Sequence, residues 1–295
     1  YKMTPESVDE LAALQRQILD TVHTYVKPNG VLVYSTCTID EAENEDNVRW
    51  FIEKHPEFEL DKSFAEGTGM KEQLTDIKSM NMDELTEFII SLGEKKFRAK
   101  QIYEWIHVKH VDSFDEMTNI SKKFIQVLKD NAILISLKKE EVQVSKLDGT
   151  RKYLFALDDG NVIESVLMKY KHGNSVCISS QVGCRMGCRF CASTLDGLVR
   201  GLRPSEMIDQ IYQIGKDIGE RISNVVVMGT GEPLDNYDNL LRFIELLTDE
   251  NGINISQRNL TVSTCGLVPR MRQLADEKLS ITLALSLHAS NQEKR

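Results

Sequence analysis

No stretch of the chain approaches the ~20 consecutive apolar residues that cross a bilayer, and no signal-peptide pattern is visible. Both absences point away from a membrane. A paired cysteine framework is also missing. The six cysteines, at 37, 177, 184, 188, 191 and 265, lack the spacing of a disulfide scaffold, so a reducing cytoplasm is expected. Nor is there the basic excess of a nucleic-acid binder, because the net charge is −9. That deficit is local. Residues 1–66 hold 6 Lys and Arg against 14 Asp and Glu, while residues 67–295 hold 30 against 31. The balanced part neither supports nor excludes RNA; only clustering of basic residues could decide. With 295 residues, 41% of them hydrophobic, the chain has material for about two domains and a real core.

One short segment stands out. Gln181-Val182-Gly183-Cys184-Arg185-Met186-Gly187-Cys188-Arg189-Phe190-Cys191 places three cysteines at C-x3-C-x2-C. Three thiolates so close together can hold three irons of a four-iron cubane, and no fourth local cysteine caps the last iron. An iron left open can chelate a small molecule. The spacing leaves two other readings standing. A zinc site would want a fourth Cys or His nearby, and the neighbouring histidines in sequence are His172 and His288. A ferredoxin-like carrier would want a fourth cysteine, and Cys177 lies seven residues upstream.

Three segments differ in character. Residues 1–66 predict an amphipathic helix with Leu11, Leu14, Ile18 and Val22 on one face, then a turn at Lys27-Pro28-Asn29-Gly30. A strand Val31–Tyr34 and an acidic helix Asp40–Lys54 follow. This is a piece of an open α/β sheet without the strands to complete it. Ala65–Gly69 reads as a linker and Met70 as the start of a second protein, so two neighbouring genes are expected to be joined here.

Residues 70–135 predict a helical module. Leu85, Phe88, Ile89 and Leu92 share one face, Gly93 ends that helix, and Ile102, Trp105 and Ile106 form another face. Lys95-Lys96-Phe97-Arg98-Ala99-Lys100 gives it a basic edge suited to an RNA backbone, although a solvated charge cluster looks the same. Residues 136–169 predict a β-hairpin connector, Tyr153–Leu157 and Val162–Leu167 around Asp158-Asp159-Gly160.

Residues 170–295 alternate strand and helix. Strands are expected at Ser175–Ser179, Asn224–Met228, Leu260–Ser263 and Ile281–His288, with helices opening at Pro204, covering Leu240–Leu247, and spanning Val268–Ala275. The continuous apolar run Val225-Val226-Val227 predicts a strand buried on both faces. Such βα repetition argues for a barrel or partial barrel with function at the C-terminal strand ends. The cysteine loop, Gly231-Glu232, Ser263 and Ser286-Leu287-His288 all fall at those ends.

Two resemblances follow. KPNGVLVYSTCTIDEAENEDNV, continued by FIEKHPEFEL, resembles the C-terminal end of bacterial 16S rRNA (cytosine-5) methyltransferases of the Sun family. The resemblance makes Cys37 the counterpart of the cysteine that attacks the cytosine ring. The family's cofactor loop and Pro-Cys motif are absent, so no such activity is expected. The second covers about Met70 to Arg295. C-x3-C-x-aromatic-C, with Phe190 as the aromatic, is similar to the cluster motif of the radical S-adenosylmethionine (SAM) superfamily. CISSQVGCRMGCRFCAS, GTGEPLDN, VSTCGLVP and LALSLHASN resemble the signatures of its 23S rRNA adenine methyltransferases, the RlmN/Cfr type.

The second resemblance implies an α/β fold: a partial (βα)6 radical SAM barrel, truncated in this chain, behind a helical RNA-binding accessory domain. The α/β methyltransferase fragment leads it. It implies a [4Fe–4S] cluster on Cys184, Cys188 and Cys191, and SAM contacts at Gly231, Glu232, Ser263, Ser286, Leu287 and His288. Glu164 resembles the proton acceptor. Cys177 matches the second catalytic cysteine, which deprotonates the adduct and forms a transient disulfide.

The implied reaction is methylation of adenine carbon 2 in 23S rRNA, with tRNA as a further substrate and a flavodoxin or ferredoxin as reductant of a monomeric enzyme. Carbon 2 is an electron-poor amidine carbon that cannot displace a methyl group from SAM. A 5′-deoxyadenosyl radical instead activates a methyl group carried on a protein cysteine, and the adenine leaves its stack to react. The family's methyl-carrying cysteine lies beyond Arg295, and Cys265 does not replace it by motif, so this polypeptide is expected not to complete methylation. A non-catalytic iron–sulfur or zinc RNA-binding module and a cytosine-5 methyltransferase are the competing expectations.

Overall fold

The computed structural model describes residues 5–27, 30–34, 44–59, 74–171 and 173–287, and the chain divides into two compact units, 1–73 and 74–295. Cys37, the linker 65–69, Met70, His172 and His288 lie outside the described residues.

The first unit contains α1 (Pro5–Val22) and α2 (Glu45–Lys54). They meet through Ala12, Leu19 and Phe51, all buried, and through a buried Asn47 that accepts from Arg16 Nε at 2.7 Å and donates to Gln15 Oε1 at 2.8 Å. The expected apolar face of α1 is not the packed one: Leu11, Leu14 and Ile18 are exposed. The expected strand at 31–34 does not form, and Val31 and Val33 are exposed as well. A strand needs a neighbour for its N–H and C=O groups, and no strand is described in this unit.

The second unit opens with β1 (Thr75–Asp76), which pairs parallel with β2 (Ala132–Ile133) around α3 (Met82–Ser91), α4 (Phe97–His107) and α5 (Lys122–Asn131). Asn81 caps α3 reciprocally: its side chain accepts from Glu84 N at 2.9 Å, and Glu84 accepts from Asn81 N at 3.0 Å. Leu85, Ile89, Ile102 and Ile106 are fully buried, with Phe88, Leu92 and Trp105 packed at the margin. Lys95, Lys96 and Lys100 remain exposed.

One seven-stranded sheet follows, in the order β11-β10-β9-β6-β5-β4-β3. The antiparallel part is β3 (Lys138–Val144), β4 (Arg151–Ala156) and β5 (Val162–Tyr170). The hairpin expected over 136–169 therefore gains a third strand and joins the same sheet, because β5 pairs with β6 (Gly173–Ile178). β7 (Gln181–Gly183) and β8 (Leu198–Gly201) leave the sheet as a small antiparallel pair. The parallel part continues with β9 (Ile222–Val227), β10 (Leu260–Thr264) and β11 (Thr282–Leu285). Between them run α6 (Pro204–Ile218), α7 (Tyr237–Thr248) and α8 (Val268–Asp276). β11 is shorter than expected. Ser286 keeps one bond to β10, from its N to Thr264 O at 2.9 Å, but Ser286 and Leu287 are loop.

β9 also corrects the two-faced expectation. Val225 and Val227 are fully buried against the helices, while Val226 is half-buried and Met228 exposed. The same alternation crosses the sheet: Val176 and Ile178 point into the core, Cys177 away from it. One face of the sheet carries the helices and the other stays open.

Polar contacts tie the helical part to this core. Lys78 Nζ donates to Asp209 at 2.7 Å with both side chains 1% exposed, and Leu137 N donates to the other Asp209 oxygen at 2.7 Å. His107 Nδ1 lies 2.8 Å from the Tyr212 hydroxyl, and Tyr103 donates to Asp249 at 2.5 Å. Burial pulls the His107 pKa down to about 3.

Candidate functional site

β6 ends at Ile178, and residues 179–203 leave the sheet before α6 returns. The three cysteines ride on the loop between β7 and β8. Cys184 N donates to Gly197 O at 2.8 Å, and Cys191 N donates to Cys188 O at 3.0 Å. The Thr194 hydroxyl donates to Cys191 O at 2.9 Å. Gly183 has φ +72°, and a Cβ there would lie 2.0 Å from Gly197 O, so the hairpin leaves no room for a side chain. Cys184 and Cys188 are buried, Cys191 is half-buried, and none of the five described cysteines is in a disulfide.

Burial, reinforced by Cys191, Glu232 and Cys188 nearby, pushes the Cys184 thiol up. Such a set of like-charged ligands becomes stable when a cation binds it. Among the described residues, the three sulfurs are not a set whose donor atoms all lie within 4.8 Å of one another. A tetrahedral zinc with ~2.3 Å bonds needs its sulfurs about 3.8 Å apart. Three thiolates on one loop are the donor type that holds three irons of an iron–sulfur cluster.

The Gly-Thr-Gly-Glu turn after β9 is locked onto the start of this loop. Thr230 O accepts from Ser180 N and Gln181 N at 3.0 and 3.2 Å. Thr230 N donates to Ser179 Oγ at 3.0 Å, and Glu232 N to Gln181 Oε1 at 2.8 Å. Gly231 has φ +107°, and a Cβ would fall 2.6 Å from Gln181 Cβ. Glu232 is 3% exposed. Its carboxylate accepts from Leu234 N at 3.1 Å and Cys265 N at 2.7 Å, bridging the β9 turn to the end of β10. Asp235 grips Arg185 of the cysteine loop with both oxygens, at 2.8 and 2.6 Å, and accepts from Gln181 at 3.1 Å.

Ser263 and Ser286 face each other, Oγ to Oγ 2.9 Å, at the ends of β10 and β11. Leu287 is exposed. Cys177 lies opposite Val166 and Val226 on the open face of the sheet. Glu164, two residues from Val166, shares that face, and its carboxylate pairs with Lys152 at 2.7 Å. Burial pushes the Cys177 thiol up. The cysteine loop, Gly231, Glu232, Ser263 and Ser286 thus share one end of the sheet, with Cys177 and Glu164 on the open face beside it. Sequence reasoning missed Gln181, Arg185 and Asp235, the residues that tie the cysteine loop to the glycine turn. Their signal was position: each is a polar residue inside or beside a quoted motif.

Family comparison matches the same two parts. The ribosomal RNA large subunit methyltransferase N-terminal domain matches residues 75–134, and the radical SAM superfamily matches residues 178–295. The chain therefore carries an RlmN-type N-terminal domain and a radical SAM domain. Among curated RlmN relatives, a probable dual-specificity RNA methyltransferase of Lachnospira eligens is 68% identical over 75% of this chain and 63% of its own length. A namesake of Lachnoclostridium phytofermentans is 63% identical over 75% of this chain and 62% of its own. The crystal structure of a radical SAM methyltransferase from Sphaerobacter thermophilus superposes with a TM-score of 0.70 at 38% identity, covering 74% of this chain and 65% of that one. The chain thus spans less than two thirds of the length of these RlmN-type relatives. Among the described residues no helix is long and apolar enough to cross a membrane.

Proposed function

We propose that residues 74–295 belong to an enzyme that methylates carbon 2 of an adenine in 23S rRNA, and of tRNA as the dual-specificity names of its relatives suggest. The observation that carries this reading is the shared rim, where a three-thiolate loop is bonded to a Gly-Glu turn beside an open sheet face bearing Cys177 and Glu164. Cys184, Cys188 and Cys191 would hold a [4Fe–4S] cluster, which, when bound with SAM, supplies the electron that splits it.

The chain's own residues position and exclude. The buried Glu232 carboxyl group lies under the turn where the SAM amino group would sit, and Ser263 and Ser286 offer hydroxyls at the next two strand ends. Cys177 supplies a sulfur whose proton affinity burial raises, which suits its thiolate form to take a proton from the adduct. Glu164, paired with Lys152, would take a proton on the same face. Lys95, Lys96 and Lys100 would meet RNA phosphates. A flavodoxin- or ferredoxin-type donor would deliver the electron, and the enzyme would act as a monomer in the cytoplasm.

The test is anaerobic reconstitution with iron, sulfide, SAM and a reductant. The proposal expects 5′-deoxyadenosine from the parent and from Cys37→Ala, and none from Cys188→Ala. Absence of SAM cleavage by a chain carrying its iron would overturn it.

A further inference from the structure

We propose that Asp20, His23 and His55, in the first unit, form a binding site for a divalent transition-metal ion of the zinc class. Nothing in the radical SAM reading uses these residues, and the site stands or falls independently of it.

The three side chains converge from separate elements. Asp20 lies in the last turn of α1, His23 opens the short 3-10 turn His23–Tyr25, and His55 follows the end of α2. Among the described residues they are the one group of three metal-type ligands whose donor atoms all lie within 4.8 Å of one another. The two imidazoles are in contact, tilted by 36° with ring centroids 3.9 Å apart, and His55 is 7% exposed.

The hydrogen bonds fix the tautomers in a way that suits a metal. His23 Nδ1 sits 2.7 Å from the Asp20 backbone carbonyl, which can only accept, so Nδ1 carries the proton and Nε2 keeps its lone pair. A ligating histidine characteristically donates its other nitrogen to such an acceptor. His55 has the same option. Its Nε2 lies 3.0 Å from Asp20 Oδ1, and its Nδ1 lies 3.7 Å from a Glu57 oxygen. Without metal, the His55 proton sits on Nε2 and bonds to Asp20. On binding it passes to Nδ1, 3.7 Å from a Glu57 oxygen that can move in to accept it, and no net proton is lost.

Lys54 now contacts Asp20 Oδ1 at 2.9 Å, the same oxygen His55 uses. Lys54 is half exposed and also lies over the Trp50 ring at 4.9 Å, so it has a second resting place when a cation replaces it. Two imidazoles and one carboxylate are borderline donors. They suit zinc-class ions better than calcium or magnesium, which want oxygen throughout. Three protein ligands also leave a position open to water or an outside ligand.

The experiment is a Co2+ titration of the full chain without an affinity tag, with Cys184, Cys188 and Cys191 replaced by alanine so that thiolates do not compete. The proposal expects one saturable equivalent with visible d–d bands, no sulfur-to-cobalt charge-transfer band in the near ultraviolet, and displacement by Zn2+. His23→Phe and His55→Phe keep the aromatic stack and remove one ligand each. Each should weaken binding more than about 10-fold, with unchanged far-ultraviolet circular dichroism showing that the helices survive. Should the triple alanine chain not fold, the same histidine variants in the cysteine-intact chain must still remove one oxygen- and nitrogen-ligated equivalent. Absence of saturable binding below millimolar Co2+, or equal affinity in His23→Phe, would overturn the site.

Discussion

Gly183→Ala probes how the cysteine loop is held. The added methyl would fall 2.0 Å from Gly197 O and 3.1 Å from Gly197 C, both backbone atoms. Relief requires β7 and β8 to separate by about 1.5 Å, to reach ordinary contact. Separation sacrifices the 2.8 Å bond from Cys184 N to Gly197 O, worth about 1 kcal/mol. Holding a residue with a Cβ at φ +72° costs about 1–2 kcal/mol more. The total, about 2–3 kcal/mol, falls on a small hairpin outside the main sheet, so it should raise local opening rather than unfold the core. At 1.4 kcal/mol per decade the opening equilibrium rises about 30–150-fold. The assay is chelator-driven iron loss from anaerobically reconstituted chain, followed optically, with thermal melting alongside. Iron loss should quicken by about that factor while the melting temperature of the unit moves little. Iron loss at the parent rate would refute the loop geometry.

Lys78→Met should leave Asp209 charged and buried without its partner, costing about 3–5 kcal/mol in urea unfolding; a loss below 1 kcal/mol would contradict it. Burial holds His107 at about 3 and His110 at about 4, whereas unfolded imidazoles titrate near ~6.5. The unfolded state therefore binds more protons in between: this stability is full above about pH 6.5 and is lost as pH falls toward the folded values. Unfolding at pH 5 should show about 2 kcal/mol less stability per histidine than at pH 7, and His110→Asn should halve the difference; a flat profile would contradict it. Replacing Lys95, Lys96 and Lys100 by glutamine should weaken RNA binding and lower its salt slope by roughly one per lysine lost. An unchanged slope would remove this edge from the interface.

The radical SAM part was legible because its chemistry is written in short, ordered motifs. The cysteine triplet, the glycine turn and the strand periods each survive in one sequence, and the parallel strands and their helices appear where periodicity put them. What was not legible depends on partners far apart in sequence. The open face of β9 could not be read from Val225-Val226-Val227, since the run looks the same whether one side or both are covered. The clamp of Asp235 on Arg185 spans 50 residues, and the Lys78–Asp209 pair spans 131; no local pattern announces either. In the first unit the helical period of Leu11, Leu14 and Ile18 is real, yet the structure packs Ala12 and Leu19 instead. Periodicity names an apolar face but not the surface that covers it.

The account rests on three thiolates leaving one iron of a cubane open to SAM. The most direct measurement is iron and sulfide content with electron paramagnetic resonance of the reduced, anaerobically reconstituted chain, before and after adding SAM. The account predicts four irons and four sulfides per chain and a cluster signal that changes when SAM is added, with the cluster lost in Cys184→Ala. A single zinc, or a four-iron signal indifferent to SAM, would contradict it.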